Sequence, residues 1–191
     1  MDSSEYVGVV FLDIKKAFDH VWHGGLLRKL SSFGVEGRAL DWFRAFLTGR
    51  GQRVVVGSAV SEIASLKAVV PQGAILSPLL FLAYMNEIVD ATSASTNLFA
   101  DDTSIFVADK SSTALQSRLQ VVVSDLEVWF DKWALTVNTL KSALMVFTPR
   151  RKSIPQLICI FTSNRHLKSL VINISGFSSI AIYPGLSMSL M

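Results

Sequence analysis

At 191 residues, half of them hydrophobic and 17% charged, the chain has the apolar material for one buried core, which excludes a disordered polypeptide and argues for a single domain. No apolar run reaches the roughly 18 residues of a membrane helix, so no membrane partner is expected, and the lone Cys159 excludes an internal disulfide and a cysteine metal cluster. The net charge of +3 is uneven: residues 150–191 hold five basic residues and no acidic one, leaving 13 basic and 15 acidic residues over 1–149, so the basic character common in nucleic-acid binders is confined to the last fifth of the chain.

The polar, acidic start Met1–Glu5 does not read as a secretory leader. Tyr6–Leu12 is almost continuously apolar and predicts a strand buried on both faces, closed by Asp13. After the Gly24-Gly25 break, Leu26, Leu27, Leu30 and Phe33 recur at helical spacing, and Gly34 predicts the C-cap. A second helix is predicted over Glu36–Leu47, with Leu40, Phe43, Phe46 and Leu47 on one face, Trp42 beside it and Gly49 as its stop. The β-branched runs Gln52–Val56 and Leu66–Val70 predict two short strands joined by a loop, followed by an irregular turn at Pro71 and Gly73. Ser77-Pro78 predicts an N-cap and a proline at the first helical position of a helix reaching about Val89.

Asn97–Ala100 and Thr103–Ala108 predict a hairpin with Asp101-Asp102 at its tip. Ser111-Ser112-Thr113 then opens the longest amphipathic helix, in which Leu115, Leu119, Val122, Leu126, Trp129, Phe130 and Trp133 recur every three or four residues. Ala143–Phe147 predicts a last strand. Beyond Pro149 serine becomes frequent, acids vanish, and no period assigns an element.

Two adjacent carboxylates at a hairpin tip repel each other unless a cation sits on them. Asp13 ends another strand 88 residues upstream of Asp101, so only a fold that pairs the two strands joins them. Magnesium takes oxygen ligands, often one or two carboxylates plus substrate phosphates, and two such ions about 4 Å apart activate an attacking hydroxyl and stabilise a leaving phosphate. The same acids also read as a strand-end cap and an ordinary polar turn, and Asp19 as a helix cap or a solvated acid. Gly73 permits close backbone approach, Gln72 offers an amide donor and acceptor, and the helix after Ser77-Pro78 presents an N-terminus to anions; taken alone these are a loop-to-helix transition. Lys141 reads as a proton donor to a leaving pyrophosphate or as a surface lysine, and Phe18 as a core residue.

In this order the segments resemble the palm of a reverse transcriptase, most narrowly that of non-LTR, LINE-type retrotransposons related to jockey. Phe11-Leu12-Asp13-Ile14-Lys15-Lys16-Ala17-Phe18-Asp19 resembles the first palm motif. Pro71-Gln72-Gly73 with Leu76-Ser77-Pro78-Leu79-Leu80-Phe81 resembles the second, and Phe99-Ala100-Asp101-Asp102 the third. Trp133, Asn138, Lys141 and Phe147 resemble the fourth. The match spans residues 6–148. It implies an α+β fold, a polymerase palm whose antiparallel sheet carries Asp13 and Asp101-Asp102 on adjacent strands with helices on one face. It implies two magnesium ions held by Asp13, Asp101 and Asp102 with the backbone carbonyl of Ile14. Phe18 would lie under the incoming sugar and exclude a 2′-hydroxyl, Gln72 and Gly73 would position template and nucleotide, and Lys141 would protonate pyrophosphate. The implied partners are an RNA or DNA template with its primer and a deoxynucleoside triphosphate.

Two departures from the family qualify this. About five residues precede the first palm strand, where the family has most of its fingers, and residues 150–191 lack its expected primer-grip hairpin and helical thumb. The expected organisation is a palm over residues 1–149, with the fingers mostly missing, and a basic, poorly patterned tail over 150–191. Two functions follow: an RNA-directed DNA polymerase domain that works within a longer protein, or a silent retroelement remnant acting at most as a weak nucleic-acid-binding or interaction module. A different two-metal enzyme, such as a nuclease or cyclase, keeps the acids but has no use for Phe18 or the Gln72-Gly73 loop.

Overall fold

The nearly unbroken apolar run Tyr6–Leu12 forms β1, an interior strand of a four-stranded antiparallel sheet. The computed structural model describes residues 5–66, 68–71 and 73–147 and the backbone of two later strands. After β1 come a 3-10 turn at Ala17–His20, α1 (His23–Ser32), α2 (Gly37–Leu47), β2 (Gly51–Gln52), β3 (Val55–Val56), β4 (Ala59–Val60), β5 (Ala64–Ser65) and α3 (Ser77–Met85). A 3-10 turn at Asn86–Asp90 leads to β6 (Ser95–Phe99), β7 (Asp102–Asp109), α4 (Ser112–Lys132), β8 (Ala143–Phe147), β9 (Leu157–Phe161) and β10 (Lys168–Ile172). The chain divides into two compact units, Met1–Lys15 with Glu87–Met191, and Lys16–Asn86.

The first unit holds the sheet, in the order β6-β7-β1-β8. Its register aligns Gly8, Val10 and Leu12 of β1 with Val107, Ile105 and Thr103 of β7, and Gly8 and Val10 with Val146 and Leu144 of β8. Cross-strand partners share a face, and every one of these residues is buried. That face receives α4: a Cβ added to Gly8 would stand 2.9 Å from Leu119 Cδ1, so the missing side chain lets the helix close on the sheet. On α4 the predicted stripe Leu115, Leu119, Val122, Leu126, Trp129 and Phe130 is buried, with Val123 added. Ser111 is its N-cap, accepting from the Ala114 N–H at 3.5 Å. At its C-terminal end Leu135 N–H donates to Phe130 O and Ala134 N–H to Asp131 O, a Schellman motif with alanine at the left-handed position, φ 54°. The α+β expectation of an antiparallel sheet with a helix on one face therefore describes this unit. Strands β9 and β10 pair antiparallel in the stretch where the sequence shows no period; β9 lies beside α4 and β10 beside β8.

In the second unit α1 packs on α2 and α3. The predicted Gly34 cap is present: Gly34 has φ 87°, its N–H donates to Ser31 O, and Val35 N–H donates to Leu30 O. Lys29 is buried in α1, and its ammonium donates to the Tyr84 carbonyl on α3. Three expectations shift. The strand predicted over Gln52–Val56 splits, β2 pairing with β5 and β3 with β4 across Gly57-Ser58. Among its described residues, Leu66–Val70 forms no strand, and Ala68 makes an isolated bridge to Trp22. The helix after the Pro71 turn has Leu76 as its N-cap, and the Ser77 hydroxyl turns back to donate to Pro71 O instead of capping. Each shift is a change of hydrogen-bond partner: the pattern proposes an element, while the partners that its backbone and hydroxyl groups meet, some local and some distant, decide its bounds.

Candidate active site

Beyond the last β1–β7 pair, Leu12 with Thr103, Asp13 follows β1 and Asp102 opens β7. Phe99 pairs with Asp102, so Ala100 and Asp101 alone form the loop between β6 and β7. Ala100 has φ 55°, a conformation that costs an L-residue about 1–2 kcal/mol. Asp101 is half-buried in this turn and Asp102 exposed. The register thus brings the ends of two strands that are far apart in sequence to one end of the sheet, with three acids on them.

Asp13 is the most tightly held of the three. Asn138 Nδ2 donates to its Oδ2 at 2.8 Å, and Asn138 N–H donates to its carbonyl at 2.8 Å. The Asp13 N–H donates to Ser142 Oγ at 3.1 Å, and that hydroxyl donates to Asn138 O at 3.0 Å. Lys15 N–H donates to Thr136 O at 2.8 Å. The two backbone bonds flank an Ile14–Val137 bridge, so the Ile14 carbonyl is turned away from the 136–138 segment, toward the β7 side of its strand. The carboxylate rotamer of Asp13 is therefore set by residues more than a hundred positions away. Asn138 entered the sequence reading only as a motif position without a role, and Ser142 not at all; no local pattern marks a serine whose work is to receive a distant backbone N–H. Lys141 is exposed in the same segment, its N–H donating to Asn138 O, directly before β8, whose Ala143 pairs with Phe11. Among the described residues no group of three or more His, Cys, Asp or Glu side chains is arranged to hold a metal ion.

Phe18 and Gly73 belong to the second unit. Phe18 lies on the Ala17–His20 turn, half-buried, its ring stacked on Phe81 with centroids 4.6 Å apart. Its carbonyl accepts from Val70 N–H at 3.0 Å. Gly73 is exposed at φ 84°, a turn conformation that favours glycine, between Pro71 and the start of α3. Gln72 lies outside the described residues.

A family profile described as "Reverse transcriptase (RNA-dependent DNA polymerase)" matches residues 1–174. Among curated proteins, the RNA-directed DNA polymerase from mobile element jockey of Drosophila melanogaster is 33% identical over 163 residues, covering 81% of this chain and 18% of that protein. The probable RNA-directed DNA polymerase from transposon X-element of the same species is 31% identical over 159 residues, covering 81% and 17%. The chain thus spans less than a fifth of the length of these relatives. Among solved structures, telomerase from Candida Tropicalis in complex with a fragment of telomeric RNA superposes with a TM-score of 0.58 at 13% identity, covering 85% of this chain and 29% of that one. At that identity the likeness is one of fold.

Proposed function

The chain belongs to the reverse transcriptase (RNA-dependent DNA polymerase) family, and we propose that it carries a templated nucleotidyl-transfer site built on Asp13, Asp101 and Asp102. One observation carries this reading: β1 and β7 are neighbours in a register that ends at Leu12 and Thr103, with Asp13 and Asp102 next in line and Asp101 in the adjoining turn. An isolated acidic turn gives no reason for the Asn138 amide and the Ser142 hydroxyl to fix the opposite aspartate.

The cofactor of the reading is magnesium, two ions. One or two carboxylates completed by substrate phosphates is a donor set that magnesium accepts, and the turned-out Ile14 carbonyl adds a neutral oxygen, so the chemistry of these donors suits the ion. Asp13 and Asp101 would be the principal holders, with Asp102 assisting. When bound, the ions would offset the charge of the triphosphate and lower the pKa of the attacking hydroxyl. The reaction is attack of a primer 3′-hydroxyl on the α-phosphate of a deoxynucleoside triphosphate, forming a phosphodiester and releasing pyrophosphate. Lys141 donates a proton to that pyrophosphate. Phe18, its ring braced by Phe81, excludes a ribose 2′-hydroxyl, and Gly73 with Gln72 lets the backbone approach template and nucleotide.

Primer extension on an RNA template tests the reading. Within a longer protein that carries this domain, wild type should incorporate deoxynucleotides in magnesium, and Asp101→Ala should lower incorporation by about 10²–10³-fold, the scale on which one electrostatic group acts in such chemistry. Equal background from both proteins sinks the reading and leaves the palm as a catalytically silent binding module. Metal-dependent cleavage abolished by Asp13→Ala, with no extension, would favour a nuclease.

A further inference from the structure

The stretch Ala68–Val70 leads into the Pro71–Gly73 turn, and it is tied to the N-terminal part of the same unit at three consecutive residues. Ala68 bridges Trp22, Val70 N–H donates to the carbonyl of Phe18 at 3.0 Å, and between them Val69 meets His23. The His23 ring is buried, and its Nε2 lies 2.9 Å from Val69 O and 3.0 Å from Val69 N. An extended residue presents its N–H and C=O on one side, so a single imidazole nitrogen faces both. Protonated at Nε2, the ring donates to the carbonyl; in the other tautomer it accepts from the N–H. Either way Val69 keeps a partner that the described strands do not supply.

We propose that His23 is a positioning residue for nucleotide selection. By holding Val69 it fixes the stretch that carries Phe18 by its backbone at one end and the Gly73 turn at the other. The two parts assigned to the sugar and to the template–nucleotide pair thus share one anchor, and their relative placement depends on a histidine that touches neither substrate. The inference rests on the nucleotide-binding reading of Phe18 and Gly73. It predicts that loosening Val69 weakens discrimination between deoxy- and ribonucleotides without removing the carboxylate site.

The test compares His23→Asn with His23→Gln. The asparagine amide reaches only as far as Nδ1 of the imidazole, whereas the glutamine amide reaches the place of Nε2 and offers both a donor and an acceptor. Hydrogen exchange reports residues 68–76 against α1, and equilibrium binding of dATP and ATP with magnesium reports selection. In His23→Asn, exchange at 68–76 should rise about tenfold with α1 still protected, as expected for one lost buried hydrogen bond. The dATP:ATP preference should fall by a similar factor, and His23→Gln should restore most of both. Exchange unchanged in His23→Asn, equal behaviour of the two variants, or faster exchange with selection intact overturns the proposal. So does a wild type that binds dATP and ATP alike. Loss of α1 protection as well reduces His23 to a stability role and also overturns it. Asp101→Ala separates this from the polymerase reading: it should abolish extension while leaving exchange at 68–76 as in wild type.

Discussion

Asp13 shows how much of the proposed site is positioned by residues distant in sequence. Its N–H, its carbonyl and one carboxylate oxygen are each engaged by Ser142 or Asn138, which leaves Asp101 and Asp102 as the less constrained half. If a cation relieves the repulsion of these acids, it must stabilise the folded chain independently of turnover. At ten times its dissociation constant magnesium should add about 1.4 kcal/mol. A thermal-shift titration should show that gain in wild type and not in Asp101→Asn; an identical rise in both would argue against the site. A second residue-scale expectation concerns Tyr84, which is fully buried on α3. Burial pushes its phenol from 10.0 up to about 12, against a weaker opposing pull from the Trp22 backbone. The folded state thus holds this proton more tightly than the unfolded chain. Its contribution is complete below pH 10 and is lost as pH rises toward 12, roughly 2–3 kcal/mol in all. Urea denaturation across that range should show the decline in wild type and a shallower one in Tyr84→Phe.

At the scale of elements, two helices end in the same way with different residues. Both α1 and α4 close in Schellman motifs, with Gly34 at φ 87° in one and Ala134 at φ 54° in the other. The left-handed conformation costs alanine about 1–2 kcal/mol, and glycine returns about 0.5–1 kcal/mol of that in chain entropy. Ala134→Gly should therefore stabilise by about 0.5–1 kcal/mol, read as a higher denaturation midpoint with an unchanged slope. The helix ends were legible to different degrees for this reason. Gly34 announces its cap because glycine is the residue a left-handed position favours, whereas Ala134 carries no such mark and the motif is visible only in its hydrogen bonds. The same contrast separates Gly73, whose turn the sequence predicts, from Ser77, whose hydroxyl serves Pro71 O where a cap was expected.

Across the whole molecule, the chain leaves the sheet-bearing unit after Lys15 and re-enters it at Glu87. β1 must therefore find β7 across separations of 91 to 103 residues, a non-local pairing that slows folding. The intervening unit exposes Val54, Val55, Val56, Val60 and Ile63 on and beside two short ribbons. Consecutive exposed β-branched residues in a ribbon are a template for self-association. Val56 is 71% exposed, so a lysine there keeps its charge in water. Val56→Lys should lower the associated fraction in light scattering roughly twofold or more without moving the thermal midpoint; an unchanged fraction would place the sticky surface elsewhere.

The sequence by itself determined which segments carry the core and which acids are candidates for the chemistry. The apolar run of β1, the stripe of α4 and the acids Asp13, Asp101 and Asp102 were readable because periodicity and residue type are local properties. Their family assignment came from four motifs in order. Tertiary structure alone decided the rest. It set the register that aligns Leu12 with Thr103, gave Asn138 and Ser142 to Asp13, and gave Val69 to His23. These are pairings between positions 46 to 129 residues apart. Which donor meets which acceptor over such distances is fixed by how the sheet and helices pack, and no local window of residues contains that information.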